Sequence, residues 1–333
     1  MRALAALLLL ALVGCAEKSK TPTSTFPVGL VYDIGGRGDK SFNDAAYAGL
    51  DSAQKQLGIT FSTLETNEGS DREAQLRQLA AGDNKLVFGV GFLFSDDIKN
   101  LAKEFPNQRF ACIDYTWSPG DSVPANLVGL KFREEEGSFL VGALAALTSK
   151  SGKVGFVGGM DIPLIRKFEA GYTAGARAVN PNVVVVSKYA GTTGAAFKDP
   201  TKGKELALAE YQDGVDVIFH ASGSTGLGVF EAARELKKLA IGVDADQYDE
   251  APGFILTSMV KRVDHAVFDT IRDLKAGQWQ GGVREMGLAE HGVTWVYDDR
   301  NKALIPDHVK ATVDSLEAEI VAGRIKVPTG MNP

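Results

Sequence analysis

Three aspartates each stand directly after a short apolar run. Asp33 follows Val28-Gly29-Leu30-Val31-Tyr32, Asp114 follows Phe110-Ala111-Cys112-Ile113, and Asp244 follows Leu239-Ala240-Ile241-Gly242-Val243. A lysine, Lys261, comes just past a fourth run that ends at Met259-Val260. Runs of this kind bounded by turn residues read as buried strands, and in open α/β sheets ligands sit beyond the carboxyl ends of the strands. Carboxylates gathered there either work in pairs as acid and base or accept hydrogen bonds from a ligand that is never altered. The rest of the catalytic repertoire is thin. None of the four histidines, His220, His265, His291 and His308, has metal-ligand spacing to another His, a Cys or a carboxylate pair. No Gly-x-Ser-x-Gly elbow occurs. Binding without turnover is therefore expected, with no metal and no cofactor.

The segment Asp33-Ile34-Gly35-Gly36-Arg37-Gly38-Asp39-Lys40-Ser41-Phe42-Asn43 invites phosphate-binding readings, and each fails. A P-loop needs Gly directly before Lys40-Ser41, where Asp39 stands and would repel phosphate. A dinucleotide fingerprint needs a third Gly at Ser41 and an acidic partner after a second strand. Arg37-Gly38-Asp39 is an integrin-type tripeptide of a length that arises by coincidence. A Gly-rich turn into a helix explains part of the segment, with Asp39 or Ser41 as the cap and Phe42 opening the buried stripe. It leaves Asp33 and Asn43 without a structural reason to be there.

The segment from Val31 to Leu50 resembles the opening of the basic membrane protein family of bacterial lipoproteins. The resemblance continues at Phe219-His220-Ala221-Ser222-Gly223-Ser224-Thr225-Gly226-Leu227-Gly228-Val229-Phe230, at Ile241-Gly242-Val243-Asp244-Ala245-Asp246-Gln247 and at Leu256-Thr257-Ser258-Met259-Val260-Lys261-Arg262. These patches keep the family's order and span nearly the whole chain beyond residue 25. The best understood members of that family are purine nucleoside receptors of ABC importers. The resemblance implies a two-lobed periplasmic-binding-protein fold of type I, each lobe a parallel sheet flanked by helices, with a three-segment hinge. It also implies a nucleoside ligand and a membrane permease as partners.

It further implies a base held between two aromatic rings. Phe42 matches one and Phe219 the other, and a stacked base is worth about 1–3 kcal/mol. The competing reading of Phe219 is a core strand residue, since Val217 and Ile218 precede it. Phe168 is a further aromatic candidate, although its helical spacing to Tyr172 suits core packing slightly better than ligand contact. Asn43, Asp33 and Asp114 would read the polar edge of the base. Asp244 and Lys261 match the family's ribose-contacting pair, and Gly223-Ser224 would bring backbone N–H groups to the sugar. Family members often carry a second Gly where Ser224 stands, which puts its contact in doubt. Lys261-Arg262 could also be a solvated helix start. A nucleotide would need cationic groups gathered at one point; three aspartates against one lysine suit a neutral nucleoside. The alternatives are a sugar or autoinducer-like solute on the same fold, a nucleoside-processing hydrolase, and a surface adhesin or signalling lipoprotein that no longer serves transport.

These residues must be held by alternating strands and helices. Strands are predicted over 28–32, 60–64, 86–90, 110–113, 127–130, 153–157, 183–187, 215–219, 239–243 and 255–259. Between them lie stripes such as Phe42, Ala45, Ala46, Gly49, Leu50, Ala53 and Leu57 at three-and-four spacing. The alternation predicts an α/β fold with parallel sheets covered on both faces. Ten strands exceed one ordinary core. Lobe 1 is expected over 26–130 plus about 260–285, and lobe 2 over 131–259 plus about 286–333. Both halves are expected to open on a strand, a Gly-rich turn and a helix, at Val28–Gly36 and again at Val154–Asp161 with Gly158-Gly159 as the turn.

The chain carries 36 Lys and Arg against 42 Asp and Glu, a formal charge of −6, and no basic cluster, so nucleic acid is not an expected partner. Residues 1–14 read as a signal peptide: Arg2, then an apolar run over 3–13 too short to span a bilayer. Leu12-Val13-Gly14-Cys15 resembles a lipobox, which implies cleavage before Cys15 and a diacylglycerol on its sulfur. Residues 15–25 hold no apolar cluster and read as a lipidated tether. The body is expected outside the cytoplasm, anchored to the cell membrane and monomeric. Cys112, the only other cysteine, reads as a buried core residue.

Overall fold

The computed structural model describes residues 25–66 and 71–330. The expected signal peptide, Cys15 and the tether up to residue 24 lie outside the described residues. The first lobe starts with β1 (Pro27–Tyr32), α1 (Phe42–Leu57), β2 (Thr60–Glu65), α2 (Arg72–Ala80), β3 (Leu86–Val90), α3 (Ser95–Glu104), β4 (Phe110–Ile113) and β5 (Leu127–Phe132). The second follows with α4 (Glu134–Thr148), β6 (Lys153–Met160), α5 (Pro163–Val179), β7 (Val184–Gly191), α6 (Pro200–Gln212), β8 (Val217–Ala221), α7 (Thr225–Leu236), β9 (Leu239–Asp244) and β10 (Ile255–Lys261). Then α8 (Val263–Lys275) and β11 (Gly282–Met286) return to the first lobe, and β12 (Val293–Trp295) and α9 (Asp307–Val321) to the second.

The strands form two six-stranded sheets, ordered β11-β5-β4-β3-β1-β2 and β12-β10-β9-β8-β6-β7. All neighbours are parallel except β10 and β12. This is the two-lobed α/β fold that the strand-helix alternation requires, and the matching strand orders make β4 and β9 counterparts. The central strands are buried because helices cover both faces; β1, β3, β4 and β8 have almost no exposed side chain. Cys112 is a free thiol buried in β4.

The three crossings between lobes run side by side. The Arg133 N–H, between β5 and α4, donates to the Met286 carbonyl at 3.0 Å, and the Arg262 N–H, between β10 and α8, donates to the Gly292 carbonyl at 2.8 Å. β5 carries the first sheet two residues past the expected boundary at 130, and β10 carries the second through Lys261.

The two halves do not open alike. Gly158 and Gly159 are not a turn but part of β6, which runs to Met160. Glycine is needed there for space, since a Cβ on Gly159 would lie 2.3 Å from the Phe197 ring and one on Gly158 2.6 Å from Tyr189. The same kind of crowding joins α4 to α5, where a Cβ on Gly175 would lie 1.8 Å from the Phe139 carbonyl oxygen. α4 is therefore buried on nearly every side, which accounts for its apolar run over 139–147 without a membrane.

Candidate ligand-binding cleft

The carboxyl ends of β1, β3 and β4 face those of β8, β9 and β10 across a narrow cleft. A cavity of 60 Å³ lies between them, walled by both lobes. That volume holds only a few water molecules. Eight of the ten residues singled out in the sequence line it: Asp33, Phe42, Asn43, Asp114, Phe168, Gly223, Asp244 and Lys261. A wider chamber of 570 Å³ adjoins it beside the first crossing, sharing Phe92, Asp114 and Leu164 and walled also by Trp117 and Phe132.

Phe219 is not on the wall. It is fully buried, with its ring 5.4 Å from Tyr172, 5.7 Å from Phe156 and 6.4 Å from Phe168. The cause is register: β8 runs on to Ala221, so Ala221, Ser222 and Gly223 occupy the strand exit and Phe219 lies two residues inside the core. From there it backs Phe168, which does reach the cavity. Ser224 is also off the wall; its hydroxyl donates to the Phe197 carbonyl at 3.1 Å. The rings that line the cavity are Phe42, Phe92, Phe168 and Phe197. Phe92 and Phe197 lie in short 3-10 turns whose sequences carry no periodic signal.

The first wall is organised by Asp39. Its carboxylate accepts from the Asn43, Ser41 and Asp44 N–H groups at 2.8, 3.0 and 3.1 Å, and so caps α1. It also takes the Asn43 side-chain N–H at 3.1 Å, while the Asn43 carbonyl oxygen accepts from the Asp33 N–H at 3.0 Å. Asn43 is thus largely spent on holding the loop, with one amide hydrogen left over. Asp33 points into the cavity beside Gly91, where a Cβ would lie 2.4 Å from its carboxylate. Burial pushes the Asp33 carboxyl up to about 7 against the pull of the Ile34 N–H.

The opposite wall carries Asp244 and Lys261. Burial raises the Asp244 carboxyl to about 6, opposed by the Lys261 charge and by the Ser41 hydroxyl. The Lys261 ammonium is 2.6 Å from Asp114 and 3.1 Å from Glu134, with the Phe42, Phe132 and Phe168 rings at 5.0, 5.0 and 5.7 Å. Burial alone would lower its basicity, but Asp114 and Glu134 more than offset that and keep it charged. Lys261 is therefore no solvated helix start.

His220 belongs to the frame. It lies 3.1 Å from the Gln247 side chain and 3.3 Å from Ser222, and burial lowers it to about 4, so it stays neutral at ordinary pH. Among the described residues no group of three His, Cys, Asp or Glu side chains could hold a metal ion. No described helix is long and apolar enough to cross a membrane.

Comparison with known proteins bears directly on this cleft. Residues 26–330 match the family described as ABC transporter substrate-binding protein, PnrA-like. A CD4+ T-cell-stimulating antigen of Listeria monocytogenes is 39% identical over 325 residues, covering 91% of this chain and 88% of that protein. Basic membrane protein A of Borreliella afzelii is 36% identical over 320 residues, covering 95% of each. Among solved structures, an ABC transporter solute-binding protein from Aeropyrum pernix K1 superposes with a TM-score of 0.83 at 30% identity, covering 92% of this chain and 94% of that one.

Proposed function

Because this chain belongs to the PnrA-like family of ABC transporter substrate-binding proteins, we propose that its solute is a purine nucleoside, captured by closure of the two lobes. The observation that carries this reading is the make-up of the cavity wall: four phenyl rings with four aspartates and one lysine. Flat rings suit the π-face of a base, and carboxylates suit N–H and O–H donors. Phe42 and the Phe168 or Phe197 ring would hold the base. Asp33 and Asp114 would accept from its edge, with Asn43 fixing Asp33. Asp244, Lys261 and the Gly223 backbone would take the ribose.

Charge favours a nucleoside over its phosphates. The one cation on the wall is already matched by Asp114 and Glu134, and the four aspartates would repel phosphate. No step of bond-making is assigned to any residue. Hinge motion follows from the three parallel crossings, and ligand binding selects the closed state because only that state brings both walls onto one base. Anchoring through a lipid on Cys15, a monomeric state outside the cytoplasm, and delivery to a membrane permease complete the proposal.

Phe42→Ala is the variant that tests it. Titration calorimetry with guanosine is expected to show affinity lowered by about 1–3 kcal/mol, the worth of one stack. Equal affinity in wild type and variant would take the base away from Phe42 and with it the sandwich.

A further inference from the structure

The cleft is closed by two polar contacts that mirror each other. β4 and β9 hold equivalent places in the two sheets, and each has an aspartate with left-handed backbone at its carboxyl end, Asp114 just past β4 at φ 58° and Asp244 closing β9 at φ 64°. Aspartate tolerates that conformation better than most residues. Each of these carboxylates is held by a side chain of the opposite lobe. Lys261 of the second lobe meets Asp114 of the first. Ser41 of the first lobe meets Asp244 of the second, its hydroxyl 2.6 Å from Asp244 Oδ2 and 3.2 Å from the Val243 carbonyl oxygen.

Ser41 stands where a helix cap is expected, yet it makes no capping bond. Asp39 does that work from two residues upstream. The Ser41 hydroxyl is thereby released to point across the cleft, and it is fully buried there. A single hydroxyl hydrogen shared between a carboxylate at 2.6 Å and a carbonyl at 3.2 Å goes mainly to the charged, nearer acceptor.

We propose that Ser41 is a positioning residue: it clasps the lobes together and occupies one oxygen of Asp244, leaving the other oriented for a ligand hydroxyl. Both consequences are specific to this geometry. Without the clasp, the ligand-free protein spends less time closed. Without the fixed oxygen, Asp244 turns freely and distinguishes less sharply between a sugar with hydroxyls and one without. The second consequence rests on the nucleoside-receptor reading; the first does not.

The test uses Ser41→Ala in two measurements. In calorimetry with guanosine and 2′,3′-dideoxyguanosine, the variant is expected to lose about 10- to 100-fold in affinity for guanosine, as for a hydrogen bond to a charged group. It should lose much less for the dideoxy compound, so that the ratio between the two narrows. A general loss of structure would lower both alike, and an unchanged ratio overturns the positioning role. In small-angle scattering without ligand, the variant is expected to have a larger radius of gyration than wild type. Equal radii overturn the clasp. If wild type itself binds neither compound, the receptor reading fails and the scattering comparison alone decides whether Ser41 joins the lobes.

Discussion

Lys261→Met is expected to destabilise the protein by about 3–5 kcal/mol, the usual cost of removing one member of a buried ion pair. The side chain is 2% exposed, and its ammonium is the nearest cation to Asp114. Glu134 keeps a second partner, because Lys167 lies 2.7 Å from it. Asp114 keeps none of comparable reach. Its carboxylate would have to take up a proton or stay buried and charged, and either outcome weakens the junction where β4, α4 and β10 meet. Urea denaturation without ligand reads the loss. Adding Asp114→Asn to Lys261→Met should recover most of it, since the second change removes the stranded charge. A loss below about 1 kcal/mol in the single variant would mean the pair contributes as little as an exposed one.

Glu210→Gln is expected to do the reverse and stabilise the protein in a pH-dependent way. Glu210 lies in α6 with no exposed surface, and neither carboxyl oxygen has a hydrogen-bond partner. A Cβ on Gly155 would come within 2.1 Å of one of them. Burial raises its pKa from 4.5 to about 9, with Lys188 opposing weakly. The folded protein therefore holds a proton that the unfolded chain releases above its ordinary value. Stability contributed by this group is complete below about pH 4.5 and is lost progressively as pH rises towards 9. Near pH 7.5 the difference between Gln and Glu should reach about 2–4 kcal/mol, and near pH 4 it should vanish. Denaturation curves for both proteins across that range would show two lines that diverge upward. Parallel lines would mean that Glu210 ionises in the fold.

Much of the fold was legible because its strands are buried on both faces and so read as continuous apolar runs. β3 and β4 begin and end at the expected residues. β11 and β12 were not foreseen. β11 is half-exposed and β12 has three residues, so neither shows a run or an alternation. They form because the crossings bring them against β5 and β10. The aspartates at strand exits were legible for the same reason as the strands. Phe219 was misplaced because a strand's end is poorly marked when polar residues follow a buried run: His220 is polar yet lies inside the sheet, bound to Gln247. Two residues of register moved the ring from the cleft to the core. Phe197 carries no signal because it lies in a short 3-10 turn. Ser41 reads only as a helix cap, because its partner Asp244 comes from the other lobe and no local pattern encodes that.

The identity of the solute can be read from a thermal-shift comparison. Guanosine, inosine and adenosine would be set against their free bases, their 5′-monophosphates and simple pentoses. A solute at 100 times its dissociation constant should add about 2.7 kcal/mol of stability. That shift is expected for at least one purine nucleoside, with little for the matching monophosphate, since the aspartates repel the added charge. Stabilisation by pentoses alone, or equally by monophosphates, would contradict the nucleoside reading.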